Sequence, residues 1–147
     1  MLDSVLNMSK KQIEDAIRIL NPCMNDYLYV FDFKEDYYVI SKHATERFIL
    51  PSDKFYNATK KHEDFVYPED ISMLGKEIEQ IKAGKKKFHD MKYRWLDKHN
   101  NPVWINCRGS VLFDENTQPH YLVGCINEIG VKPEADNVSG LLGEYAL

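Results

Sequence analysis

Apolar residues change their period along this chain, and each change marks an element. Near the N-terminus Ile13, Ala16, Ile17 and Leu20 recur at i, i+3, i+4 and i+7, the spacing of one helix face. Ser9 and Gln12 ahead of them fit a capping box, and Asn21-Pro22 ends the helix because proline biases its predecessor away from helical angles. Leu2, Val5 and Leu6 add an earlier turn on a similar face. Residues 27–33 and 37–41, rich in Tyr, Val and Phe, predict an antiparallel hairpin across the polar turn Lys34-Glu35-Asp36. A helical turn over 43–50 stops at Pro51, and 52–66 reads as short helices and loop.

A longer helix starts at Pro68, which suits a first helical position, with Glu69 and Asp70 at its positive end. Ile71, Leu74, Ile78 and Ile81 form its buried stripe, and Gly84 stops it. The period then drops to two. His89, Met91, Tyr93 and Trp95 share one face of a strand over 88–96. Val103, Ile105, Cys107, Val111 and Phe113 alternate with Trp104, Asn106, Arg108 and Ser110 in the next, and 121–129 forms a third. The pattern predicts an α+β fold: a five-stranded antiparallel sheet with helices on one face, preceded by an N-terminal amphipathic helix.

Composition narrows the function classes. The formal net charge of −4 offers no footprint for nucleic acid or an anionic membrane. The lysines at 82 and 85–87 read as a solvated helix end. No apolar run reaches the ~20 residues that span a bilayer, and Met1-Leu2-Asp3-Ser4 lacks the start of a signal peptide. A cytoplasmic location is the expectation. The three cysteines, Cys23, Cys107 and Cys125, are too few and too widely spaced for a disulfide framework or a zinc site. No nucleophile–base pair, phosphate loop or metal-spaced carboxylate cluster appears, so no enzyme chemistry is expected.

Several short motifs occur in a telling order: Phe31-Asp32, Tyr67-Pro68-Glu69-Asp70, Tyr93-Arg94, Trp104-Ile105, Arg108-Gly109, Asp114-Glu115 and Gly124, closing on Glu128-Ile129-Gly130. Over residues 24–130 this set resembles a PAS sensory domain of the subtype with the C-terminal PAC motif. Tyr67 stands where that family has His in its His-Pro-x-Asp helix start, and Glu128-Ile129-Gly130 replaces the usual Asp-Ile-Thr. In the tail, Asp136-Asn137-Val138-Ser139-Gly140-Leu141-Leu142 resembles the opening of a GGDEF diguanylate cyclase domain, with Gly143-Glu144 in place of Asn-Arg. The division implied is an N-terminal helix (1–22), a PAS domain (23–130), and a linker with the start of a GGDEF-like domain (131–147).

The resemblance implies a sensory input module that controls a downstream cyclase output involving cyclic di-GMP. Its ligand would sit between the sheet and the middle helices. Met91, Tyr93, Ile105, Cys107, Val123 and Cys125 are the expected lining, on strand faces turned toward the helices. The opposite face, with Trp104, Leu112, Leu122 and Ile126, would be covered by the N-terminal helix or by a second copy in a homodimer. A ligand-free dimerisation module, its aromatic residues simply filling the core, is the alternative.

Two cofactor modes of the family are disfavoured. Asn106-Cys107-Arg108 matches the tripeptide of flavin-binding light sensors, but there the cysteine opens a helix, and here it falls in a strand. Haem-binding members use a histidine of the long helix, and residues 68–82 contain none. His62, ahead of that helix, reads as an exposed loop residue.

Overall fold

A computed structural model describes residues 8–130. Leu2, Val5, Leu6 and the GGDEF-like tail over 131–147 lie outside them. Helix α1 spans Lys10–Leu20, and its capping box is formed: the Ser9 hydroxyl accepts from the Gln12 amide while the Gln12 side chain accepts from the Ser9 amide. Strands β1 (Tyr27–Asp32) and β2 (Tyr37–Ile40) make the hairpin, with buried Asp32 accepting from the turn amides of Lys34 and Glu35. Helix α2 (Ala44–Arg47), strand β3 (Lys54–Tyr56) and helix α3 (Ala58–Phe65) fill the crossover. A single turn at Pro68–Asp70 leads into helix α4 (Ile71–Lys82). Strands β4 (Phe88–Leu96), β5 (Pro102–Phe113) and β6 (Pro119–Gly130) complete the element order.

The sheet is antiparallel throughout, in the order β3-β2-β1-β6-β5-β4. It has six strands, one more than expected. The extra one, β3, is three residues long with only Phe55 buried, too short to leave a period in the sequence. Its amides pair with β2 from Tyr37 to Val39.

The inner face carries the larger core: Tyr29, Phe31, Tyr38, Tyr93, Trp95, Ile105, Cys107, Leu122 and Ile126 pack under the middle helices through Phe65, Leu74 and Ile81. The outer face carries a smaller one, where Ile13 and Ile17 of α1 meet Val30, Tyr37 and Val39. That contact is what the amphipathic stripe of α1 is for.

Both faces of the central strands are therefore apolar, and this reverses one expectation. Ile126 pairs with both Tyr27 and Cys107, and Leu122 with Phe31 and Val111, so Leu122 and Ile126 lie on the inner face. Val123, opposite Ser110, and Cys125, opposite Arg108, lie on the outer one. Val123 packs against the α1 core. Leu112 stays on the outer side, beside Leu28 and Val123.

Gly109 and Gly124 face each other across β5 and β6, with Tyr29 over Gly124 on the β1 side. A Cβ on Gly124 would lie 1.9 Å from the Arg108 carbonyl oxygen, and one on Gly109 would lie 2.5 Å from the Tyr29 hydroxyl. The two glycines thus clear a trough into which Tyr29 settles. Its hydroxyl donates to the Arg108 carbonyl at 3.3 Å and accepts from the Cys107 thiol at 3.3 Å.

Candidate functional site

Two carboxylates fix the helices that frame the site. Asp36, in the β1–β2 turn at φ 52°, receives the amide and hydroxyl of Thr59 at 3.0 and 2.7 Å and so moors the first turn of α3. Asp70, buried at the head of α4, receives the backbone amide of Arg94 at 2.9 Å, its Nε at 2.9 Å and its Nη2 at 2.7 Å. The guanidinium also lies over Tyr67 and Trp104, at 4.2 and 4.6 Å from the ring centroids. Three of the short sequence motifs thus form one joint between α4 and the sheet. Fork-to-fork pairing of this kind fixes geometry as well as adding energy.

Between these moored helices and the inner face of the sheet lies a cavity of about 160 Å³. Tyr29, Phe31, Tyr38, Tyr93, Cys107 and Leu122 form its floor, and Val66, Ile71, Leu74 and Ile78 its roof. Thr59, Glu63 and Glu79 also border it, all exposed, which places the charged groups at the mouth. Lys82 joins them, its Nζ 5.7 Å from the ring centroid of Phe33 and 6.0 Å from that of Phe31. Gly75 of α4 borders the cavity too, with nothing within 4 Å of where its Cβ would stand.

Few interior groups are polar, and the structure accounts for most of them. Burial pushes the Cys107 thiol up to about 12, although the Tyr29 and Tyr93 hydroxyls act the other way, so the thiol stays neutral. Desolvation likewise holds the phenols of Tyr29, Tyr38 and Tyr93 well above their ordinary value. His89 is buried, and its Nδ1 donates to the Glu77 carboxylate at 2.9 Å. Burial alone would raise the Glu77 carboxyl, but Lys86 and His89 outweigh it and hold it below the usual range.

His62 is the residue that sequence reasoning misplaced. It belongs to α3 and lines the cavity, half-buried, rather than sitting on an exposed loop. Its ring stacks parallel to Phe31 at 5.7 Å and meets Tyr38 and Phe65 at 4.9 and 4.6 Å. Its Nδ1 donates to the Ala58 carbonyl at 2.7 Å, which leaves Nε2 as the acceptor of the neutral ring. Burial among these rings pushes its pKa down to about 4, the Ala58 bond opposing only in part.

Of the six residues expected to line the site, Tyr93 and Cys107 border the cavity. Ile105 is buried in the same core without reaching it, and Met91 packs against that core from a half-buried position. Val123 and Cys125 lie on the opposite face, because β6 is offset by one position from the expected pairing. Tyr29, Phe31, Tyr38, His62 and His89 were missed. Inward tyrosines in a strand buried on both faces leave no alternation to read. Cys107 is a buried residue of strand β5, not the opening of a helix. Among the described residues no cluster of three or more His, Cys, Asp or Glu could hold a metal ion, and no helix is long and apolar enough to cross a membrane.

Comparison with known proteins gives a consistent picture. The family model described as PAS fold matches residues 40–126. None of the curated proteins matches. Among solved structures, the N-terminal domain of a diguanylate cyclase with PAS/PAC sensor from Marinobacter aquaeolei superposes with a TM-score of 0.60 at 19% identity, over 72% of this chain and 96% of that one. A sensory box histidine kinase/response regulator from Burkholderia thailandensis gives 0.59 at 17%, over 76% and 82%. The PAS domain of a protein from Colwellia psychrerythraea gives 0.58 at 17%, over 82% and 96%. At such identities the likeness is one of fold.

Proposed function

The chain belongs to the PAS fold family, and from that premise we propose that it is a sensory input module whose signal is a small molecule held between α3, α4 and the sheet. The module does no chemistry of its own. The observation that carries the reading is the cavity of about 160 Å³, apolar within and charged only at its mouth. Sites of this make-up, mostly apolar with a few placed polar groups, suit small organic ligands. Binding acts by favouring one of two arrangements of the segments flanking the domain, and only a difference in affinity between those arrangements shifts the balance.

The output in this proposal is a diguanylate cyclase domain joined after residue 130. The residues that support it are Asp136 to Leu142, which resemble the start of such a domain. The Marinobacter aquaeolei protein, whose name pairs a PAS/PAC sensor with a cyclase, supports the pairing. A homodimer through α1 and the outer sheet face fits the same scheme. Met8, Leu20, Leu28, Leu112 and Val123 border a shallow apolar cleft there, and Ile19 and Leu20 are 64% and 47% exposed. That patch also favours the second reading, an assembly module that positions output domains without a ligand.

Native mass spectrometry on freshly purified protein, with an absorption spectrum of the same sample, separates the two. A stoichiometric extra mass that leaves on denaturation establishes the sensor. A bare dimer that takes up no compound from a metabolite extract establishes the assembly module.

A further inference from the structure

Of the polar side chains that line the cavity's interior, Tyr29, Tyr38, His89 and Tyr93 are at most 2% exposed, and the His62 ring is the more accessible one. The Tyr29 hydroxyl is engaged as donor to Arg108 and acceptor from Cys107. His89 gives its Nδ1 to Glu77, and the residue, Nε2 included, is only 1% exposed, as Tyr38 with its unbonded hydroxyl is only 2% exposed. His62 differs. Its Nδ1 proton is committed to the Ala58 carbonyl in its own helix, so the ring offers Nε2 as an acceptor, and Nε2 has no hydrogen-bond partner among the described residues. The ring is half-buried and borders the cavity.

Size and wall chemistry narrow what could reach that acceptor. A dry apolar cavity of about 150 Å³ is known to take a benzene-sized guest, and this one measures about 160 Å³. Phe31, Tyr38 and Tyr93 present aromatic faces and edges, against which an aromatic guest packs better than its area alone implies. The interior holds no paired charge to receive an ion, and an unpaired ion buried there would be costly. We infer that the ligand is a small, neutral, single-ring aromatic compound bearing one hydrogen-bond donor, a phenol or an aromatic N–H heterocycle, with the donor given to His62 Nε2. This inference rests on the reading of the cavity as a ligand site.

The test uses three probes of nearly one shape: phenol, toluene and benzoate. Each is titrated into the 147-residue protein while the methyl resonances of Leu74 and Leu122 are followed by NMR. Phenol is expected to shift both resonances and to bind about tenfold tighter than toluene, the worth of one hydrogen bond to an otherwise unpartnered acceptor. Benzoate is expected not to bind. In His62→Phe, which keeps a ring among Phe31, Tyr38 and Phe65, phenol should fall to the affinity of toluene while toluene keeps its own.

Equal binding of phenol and toluene to the unmodified protein overturns the inference and leaves the ligand site standing. Undiminished phenol binding by His62→Phe does the same, as does tight binding of benzoate. Failure of all three probes to move either methyl overturns the inference, and the mass measurement on the purified protein then decides the ligand site separately.

Discussion

Acid should weaken this fold through His62 before it does so through the carboxylates. The imidazole takes a proton at about 4 in the folded chain, against 6.5 for an ordinary histidine. Between those values the unfolded chain binds a proton that the folded chain refuses, so stability falls as pH falls. The sign is that of a depressed base: the contribution is intact above 6.5 and fully lost below about 4. At ~1.4 kcal/mol per pH unit the whole gap amounts to about 3.5 kcal/mol, of which about 2.5 should be gone by pH 4.5. That is a large share of the ~5–15 kcal/mol stability of a typical domain. Other groups act in the same range. His120 is also lowered, mainly by desolvation, and Glu77 and Glu128 are held below the usual carboxylate range. A difference measurement removes them. Urea unfolding of the parent and of His62→Phe, run at steps from pH 7 to 4.5, should give two curves that converge or cross by about 2.5 kcal/mol as pH falls. Parallel curves, offset by the same amount at every pH, would refute the argument that burial keeps this ring neutral.

Three further substitutions probe the frame of the site. Asp70→Asn removes the charge that receives three hydrogen bonds from Arg94 and should cost about 2–3 kcal/mol in urea unfolding; a loss below about 1 kcal/mol would mean the joint is not what holds α4. Gly109→Ala places a Cβ 2.5 Å from the Tyr29 hydroxyl and should cost about 2 kcal/mol, as overpacking does. In a Tyr29→Phe background the thermal destabilisation should shrink, and an unchanged value would show that the hydroxyl is not the clash. Gly75→Ala, inside α4 with open space around the new methyl, should add about 1 kcal/mol by helix propensity alone. A lower melting temperature would count against that.

How much of this could be read from the chain depends on whether a residue has one neighbour layer or two. The Ser9–Gln12 cap, the α4 stripe of Ile71, Leu74, Ile78 and Ile81, and the faces of β4 and β5 were legible because polar positions alternate with apolar ones there. Strand β6 was not. Tyr121, Val123 and Cys125 are as apolar as Leu122, Gly124 and Ile126, since α1 covers one side and the larger core the other, so nothing local fixed its register. The bulges after Trp104 and after Leu112 shift the pairing further. His62 was opaque for another reason. Its surroundings come from β1, β2, β3 and its own helix, and no spacing in the sequence shows four segments converging. The acid joint was visible only as separate motifs; that Tyr67, Asp70, Arg94 and Trp104 meet is a fact of the tertiary structure.

The trough beneath Tyr29 has a consequence for how this module could change its cargo. Because Gly109 and Gly124 leave room for it there, the tyrosine ring fills space on the cavity floor that a smaller residue at 29 would add to the chamber. Removing it asks nothing of α3 or α4, whose anchors at Asp36 and Asp70 lie elsewhere. Tyr29→Ala should therefore admit a two-ring guest such as naphthol, seen as new methyl shifts at Leu122 that naphthol does not produce in the parent; the same response in both proteins would refute this. If the proposed ligand site holds, one position sets the size of the guest while the joints that frame the cavity stay as they are.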